Sequence, residues 1–297
     1  MRRRVENPAI TAGGSTERMQ LSVFRALPGD LALRDAQDLM AYPFFSLAKS
    51  KRVDPISYRS GEVAICVEGT CEHGLATIWD ADVLIWAASQ LVEARDANLR
   101  PSRLMAATPY EILRFIGRGT STRDYQRLRA AFDRLQSTTI ATSLRQATAR
   151  RMHRFSWLNE WKERVDRKGD PLGIELILPE WFFNGVLDAS LVLTLDPTYF
   201  ALTGGIERWL YRVVRKHGGR QKHGWGFDFR HLHAKSGSLA RFSDFALDIR
   251  RIVQRQSLPG YRLAVDRLDG VDRLRFRPAA PIGAPHLRVL RSSRYNL

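Results

Sequence analysis

The chain has 297 residues, of which 44% are hydrophobic, and a formal net charge of +16. That apolar content supports packed cores of ordinary size rather than disorder, and the charge calls for a polyanionic partner: nucleic acid, an anionic membrane surface or an acidic protein. No stretch approaches the roughly 18 apolar residues of a membrane span, which sets insertion aside.

The opening MRRRVENPAITAGG starts with arginines, but Glu6, Asn7 and Pro8 stand where a signal peptide needs an apolar run, so a cytoplasmic, nucleoid- or plasmid-associated protein is expected. Residues 1–38 lack sustained periodicity and read as a flexible basic tail, with Leu21 to Leu33 able to fold back as a short helix. Order is expected from Met40, where AYPFFSLAK and YRSGEVAICVEG read as two strands. Cys66, Cys71 and His73 lack a fourth ligand, so they read as reduced thiols beside a histidine rather than a zinc site.

From Thr77 to about Ala97, Ile78, Val83, Leu84, Trp86, Leu91 and Val92 mark a long packing helix. Thr108 then caps PYEILRFIGR, with Pro109 at the first helical position and Glu111 completing a capping box, and Gly117 and Gly119 end that helix. In the next helix Tyr125, Leu128, Phe132 and Leu135 share an inward face. Rotation by 100° per residue puts Arg123, Gln126, Arg127, Ala130 and Arg134 outward as a cationic ridge, just after the turn hydroxyls of Ser121 and Thr122. The following TTIATSLRQATARRMHRFSWLNEW alternates as a β-hairpin with Arg145, Arg150, Arg151, His153 and Arg154 toward its tip, and is the expected basic wing. Between Arg114 and Lys168 there are fourteen Arg or Lys against five Asp or Glu, so much of the net charge is concentrated here.

The KGDP turn at Lys168 to Pro171 is taken as the boundary between a first domain, 39–170, and a second, 171–278, with 279–297 as a C-terminal tail. LGIELILP reads as a strand, EWFFNGVL as a short helix, and Gly205 to His217 as a core helix. The grammar of residues 108–144 then returns. Phe229 and Leu232 face inward on a short helix, AKSGS turns, and Phe242, Phe245, Ile249, Ile252 and Val253 pack a longer one. Its outward face carries Ser243, Asp244, Leu247, Arg251 and Arg255, with Arg241 to one side and Lys235, Ser236 and Ser238 in or beside the turn. Two alternating strands about an Asp-Gly turn end the unit and present Arg267, Arg273 and Arg275 as a second wing.

A helix, a small-residue turn, a longer helix with an arginine ridge and a basic hairpin, given twice, predict an α+β fold of two tandem winged-helix domains that bind double-stranded DNA. Ridge arginines would read guanine edges, while wings and turn hydroxyls hold phosphates. No catalytic constellation is expected. His231 and His233 form a His-hydrophobe-His triplet, the metal-binding element of rolling-circle nicking enzymes, but they sit in a helical pattern that points them apart. The glycines fit neither dinucleotide nor P-loop spacing, and Trp157, Trp161, Trp181 and Trp209 lie in apolar patterns that predict core positions. No cofactor or metal is therefore expected. A transcription repressor built on the same two domains is the main alternative, and a nicking enzyme the second.

AYPFFSLAKSKR, TIWDADVLIWAASQ, TPYEILRFIGRG, FDFRHLHAKSGS and RFSDFALDIR together resemble the bacterial replication initiator protein A family, over roughly Leu39 to Phe276. The resemblance implies kinship with iteron-binding initiators of plasmids and integrating mobile elements, whose fold is two winged helices in tandem. It further implies binding to repeated origin sites, opening of an A·T-rich segment, recruitment of the host initiator DnaA and the helicase DnaB, and a homodimer in equilibrium with monomer.

Overall fold

The computed structural model describes residues 16–146, 151–219, 221 and 224–279. The chain opens with α1 (Thr16–Gln20), β1 (Phe24–Arg25), β2 (Arg34–Ala36), α2 (Gln37–Ala41) and the hairpin β3 (Ile56–Ser60) and β4 (Val63–Glu68). The long helix α3 (Ala81–Asp96) leads to β5 (Leu104–Ala107), α4 (Pro109–Phe115) and α5 (Thr122–Ser137). Two hairpins follow, β6 (Thr139–Thr142) with β7 (His153–Ser156), and β8 (Glu160–Val165) with β9 (Pro171–Ile177). After α6 (Glu180–Leu187) and β10 (Val192–Thr194) come α7 (Gly205–Gly218), β11 (Trp225–Asp228), α8 (Phe229–Ser236), α9 (Phe242–Arg255), β12 (Tyr261–Leu268) and β13 (Val271–Pro278).

One element order recurs. A core helix, a strand, a short helix, a longer helix and a hairpin appear as α3–β5–α4–α5–β8–β9 and again as α7–β11–α8–α9–β12–β13. In both sheets the first strand pairs with the last: the orders are β1-β5-β9-β8 and β11-β13-β12. The β6–β7 hairpin interrupts the first copy and belongs to another sheet, β3-β4-β6-β7. Local chemistry accounts for most of these elements. Thr108 and Glu111 form the reciprocal cap of α4, and Asp269 and Gly270, at φ 48° and 76°, give the two left-handed residues that a tight hairpin between β12 and β13 requires.

The N-terminal segment is not a tail from residue 16 onward. β1 pairs in parallel with β5 and β2 pairs with β10, while Phe24, Leu33 and Ala36 are buried. No helix forms over Leu21 to Leu33; the strand and loop there are held by polar groups on α3 instead. The Gln90 amide accepts from the Leu27 N–H at 2.6 Å and Ser89 Oγ accepts from the Arg34 N–H at 2.8 Å. The AYPFFSLAK segment is likewise irregular, with Phe44 and Phe45 in the core, whereas YRSGEVAICVEG supplies parts of both β3 and β4. The boundary expected at 170 falls inside the β8–β9 hairpin. β9 pairs with β5, and α6 packs Trp181, Phe182 and Val186 into the first core. The second core begins in chain order with Leu195 apart from Leu33, Met40 and Ile85, which reach it from the N-terminal half.

The first core surrounds α3 with Trp86, Phe132, Trp157 and Leu176; the second surrounds α7 with Leu210, Phe229, Phe245 and Phe276. Between them α7 turns two arginines one helical turn apart toward the first unit. Arg208 donates from Nη1 to both oxygens of Asp82, at 2.7 and 2.9 Å, and Arg212 holds Asp35 at 2.7 and 3.0 Å. Burial of these pairs makes the relative placement of the two units specific, because a slip would strand a charge away from water.

His217, near the end of α7, has a buried Nε2 with no hydrogen-bond partner, and its ring meets Phe227 edge-on at 5.0 Å. Burial, with further depression from Lys235, Lys216 and His231, pushes it down to about 4. The fold thus favours neutral imidazole. Its contribution is fully present above an unfolded pKa of about 6.5 and is lost as pH falls through that value toward 4. Thermal melts from pH 7 to 4 should show a falling midpoint, and His217→Phe should flatten the part of the slope between 6.5 and 4. An unchanged slope would exclude this histidine as a source of acid sensitivity.

Candidate nucleic-acid interface

On α5 the inward set packs as its spacing requires: Leu128, Phe132 and Leu135 are buried, Tyr125 half-buried. Thr122, Arg123, Gln126 and Arg127 are exposed on the other side. At the start of the helix the Asp124 carboxylate accepts from the Ser121 hydroxyl at 2.6 Å and from its N–H at 3.1 Å, and these bonds hold Asp124 below the usual carboxylate range. Arg127 keeps 57% of its side chain exposed and lies 3.6 Å from Asp124, which leaves it able to turn to another anion. Arg123 makes no ion pair among the described residues. Arg134 does not belong to this ridge. It chelates Asp80 at 2.8 and 2.7 Å, a carboxylate only 2% exposed, and that hydrogen bonding holds the guanidinium charge still more firmly.

Both hairpins reach α5, one through β7 and the other through β8, and β8–β9 is the one that matches β12–β13 in strand order. Arg129 on α5 pairs with Glu163 on β8 at 2.5 Å, just as Arg250 on α9 pairs with Asp272 on β13. The β8–β9 turn presents exposed Arg167 and Lys168. The β6–β7 hairpin instead extends the separate sheet, and its basic residues divide. Arg151 and Arg154 are exposed, Arg150 lies outside the described residues, and Arg145 is structural. The Arg145 guanidinium lies 3.5 Å from the Trp181 ring centre, donates to the Trp181 carbonyl at 2.8 Å and pairs with Asp38 at 3.1 Å. Its partial burial lowers its pKa.

On α9, Phe245, Ile249 and Ile252 are buried, and Phe242 and Val253 half-buried. Arg241, Ser243, Asp244, Leu247, Arg251 and Arg255 are exposed. The acids on this face compete for its cations: Arg241 lies 3.0 Å from Asp244 and Arg251 3.3 Å from Asp248. Lys235 and Ser236, expected to face a ligand, do not. Ser236 is fully buried, donating to the His233 carbonyl at 2.7 Å. The Lys235 amine sits 4.9 Å from the Tyr42 ring centre, and burial pushes it down to about 8. Ser238 is half-buried, and its hydroxyl accepts from the Ala240 N–H at 3.2 Å. On the hairpin, Arg267 and Arg275 are exposed and Arg273 is half-buried; Arg267 lies 3.8 Å from Asp272 and Arg275 3.5 Å from Asp266.

The His231/His233 pair is on α8, with His231 stacked on Phe227 and the His233 Nε2 2.8 Å from the Ala240 carbonyl. Among the described residues no group of three His, Cys, Asp or Glu converges as a metal site, and no helix is long and apolar enough to cross a membrane.

A two-unit molecule with two cationic helix faces is what the motifs predict, and comparison with known proteins decides its kinship. The family model for replication initiator protein A matches residues 34–263. The chain belongs to that family. A relative in Wigglesworthia glossinidia brevipalpis, described as "Putative replication protein", is 32% identical over 228 residues, which are 75% of this chain and 82% of that one. The replication initiator protein A member also shares its fold with a crystal structure of domains 2 and 3 of RctB, at a TM-score of 0.57 and 16% identity, covering 79% of this chain and 95% of that one. A second RctB domain 2–3 structure matches at 0.54 and 16% identity, over 82% and 97%. At that identity the likeness is one of fold.

In this family member the β8–β9 turn adds exposed Arg167 and Lys168 to the candidate residues expected from the sequence. Alternating EWKERV and LGIELI on either side of a Lys-Gly-Asp turn are the sequence signal of this hairpin, whose tip lies where a domain boundary is expected.

Proposed function

We propose that this replication initiator binds repeated duplex DNA sites at an origin through two winged helices, α4–α5 with β8–β9 and α8–α9 with β12–β13. The carrying observation is the recurrence of one element order and one strand order, each time with exposed arginines on the outer face of the longer helix. In this reading α5 and α9 enter successive major-groove segments about 34 Å apart, a footprint of about 20 base pairs. The hairpin turns, with Arg167 and Lys168 in one and Arg267 in the other, lie along flanking phosphates. Recruitment of DnaA and DnaB and a monomer–dimer equilibrium belong to the same proposal and rest on family membership.

The test is binding to the DNA flanking the gene, with replication of a plasmid dependent on that DNA and this protein as the functional readout. Arg127→Ala and Arg251→Ala should each cost about 1–3 kcal/mol on the specific site and relax base preference there. Arg134→Ala should instead lower the melting midpoint, since it leaves buried Asp80 unpaired. Equal loss on every sequence would reduce Arg127 or Arg251 to a phosphate contact, and a wild-type protein without duplex affinity would overturn the reading.

A further inference from the structure

The loop before β3 lies between α5 and the turn that leads into α9. Lys49 shares a groove with Gly117, Arg118, Asp124 and Arg127 at the start of α5, and together with Lys51 it lines a second groove reaching Ala130 and Arg134 farther along that helix. On its other side Lys51 shares a third groove with Ser238, Leu239 and Ala240, the turn into α9. The loop therefore runs from the outer face of α5 to the turn that leads into α9.

It is also held rigidly. Ser46 bonds through both its N–H and its carbonyl to the segment ahead of α3, at 2.9 Å each. Buried Arg52 donates to the carbonyls of Asp54, Pro55 and, at 2.6 Å, Gly237 in the α8–α9 turn. Gly237 is left-handed at φ +61°, and a Cβ there would press on Ile56 and Pro43 at 3.0 Å, so this turn and loop are fitted to one another.

Lys49 and Lys51 are exposed, and among the described residues neither has a carboxylate partner. The Lys49 amine lies 5.7 Å from the Trp79 ring centre, and Lys51 donates to the Cys71 carbonyl at 3.0 Å. Acids nearby are engaged or few: Asp80 is taken by Arg134 and Asp82 by Arg118 and Arg208. Asp124 and Asp54 line these grooves, and solvent-exposed Glu72 sits near His73 at 3.8 Å.

We infer that Lys49 and Lys51 bind the phosphodiester backbone of the DNA segment that crosses from α5 to α9, a contact made between the two readers and by neither. The inference rests on the duplex-binding reading above. A flexible ammonium suits a phosphate as a point charge and carries no base preference. Its fixed loop makes the contact available without a backbone ordering cost at binding.

Binding of the full chain to specific and unrelated duplexes is measured from 0.05 to 0.3 M salt, for wild type, Lys49→Gln/Lys51→Gln and a charge-matched control, Arg59→Gln/Arg100→Gln, whose residues line none of the three grooves. Two lost phosphate contacts should flatten the logarithmic salt slope by about 1.8, lowering affinity on the order of thirtyfold at 0.15 M salt. The loss should be the same for both duplexes, with the melting midpoint unchanged and the control near wild type. A lysine variant with the wild-type slope, or a control that flattens equally, overturns the inference while leaving the duplex reading intact. Absence of wild-type duplex binding overturns both.

Discussion

Asp82→Ala should destabilise the protein by about 3–5 kcal/mol, among the largest losses available to one substitution here. Asp82 is completely buried and accepts from Arg208 on α7 and from Arg118 in the turn ahead of α5, at 3.0 Å. Removing the carboxylate leaves the Arg208 guanidinium, itself 4% exposed, with the Leu202 and Phe200 carbonyls and the Tyr199 ring but, among the described residues, no carboxylate. The cost is that of an uncompensated charge in a site water does not reach. A paired replacement, Asp82→Leu with Arg208→Met, removes both charges and should recover most of the loss. Chemical denaturation of the two variants checks the sign: a single variant near wild-type stability would mean that water reaches Arg208. The same pair joins α3 to α7, so Asp82→Ala should also loosen the spacing of the two helix faces. Binding to a two-segment site should then weaken more than stability alone explains when measured well below the melting midpoint.

Phe245→Ala carries the other large expectation, a loss of about 3–5 kcal/mol. The ring is fully buried, with Trp209 at 6.1 Å and His233 at 5.0 Å. It therefore ties α9 both to the core helix α7 and to α8. Truncation opens a cavity at the point where the longer helix is seated, and surrounding rings relax only in part. Phe242 on the same helix is half-buried, so Phe242→Ala should cost clearly less. Equal midpoint shifts for the two variants in denaturant would refute this placement of the inner face. DNA affinity in Phe245→Ala should fall with the folded fraction and keep its base preference, which separates a core loss from a lost contact.

The amino-acid sequence by itself determined the features that depend on near neighbours. The Thr108–Glu111 cap, the inward faces of α5 and α9, the α8–α9 turn and the Asp269-Gly270 hairpin all follow from side chains within a few residues of one another, because caps, helical periodicity and tight turns are short-range. The family, too, was legible in motifs spread along the chain. Tertiary structure alone decided which of the two hairpins reaching α5 joins the sheet of β5, since β6 and β8 offer similar alternation and only pairing of β9 with β5 selects the second. It also decided which cations are free. Arg134 is taken by Asp80, 54 residues away, Arg145 by Asp38 and Trp181, and Lys235 by burial over Tyr42. The N-terminal segment is held in place where Ser89 and Gln90, buried polar groups of α3, accept from its backbone N–H groups. An exposed arginine and one consumed by a distant carboxylate have the same letter and the same local pattern; what separates them is the long-range packing that brings the partner to hand.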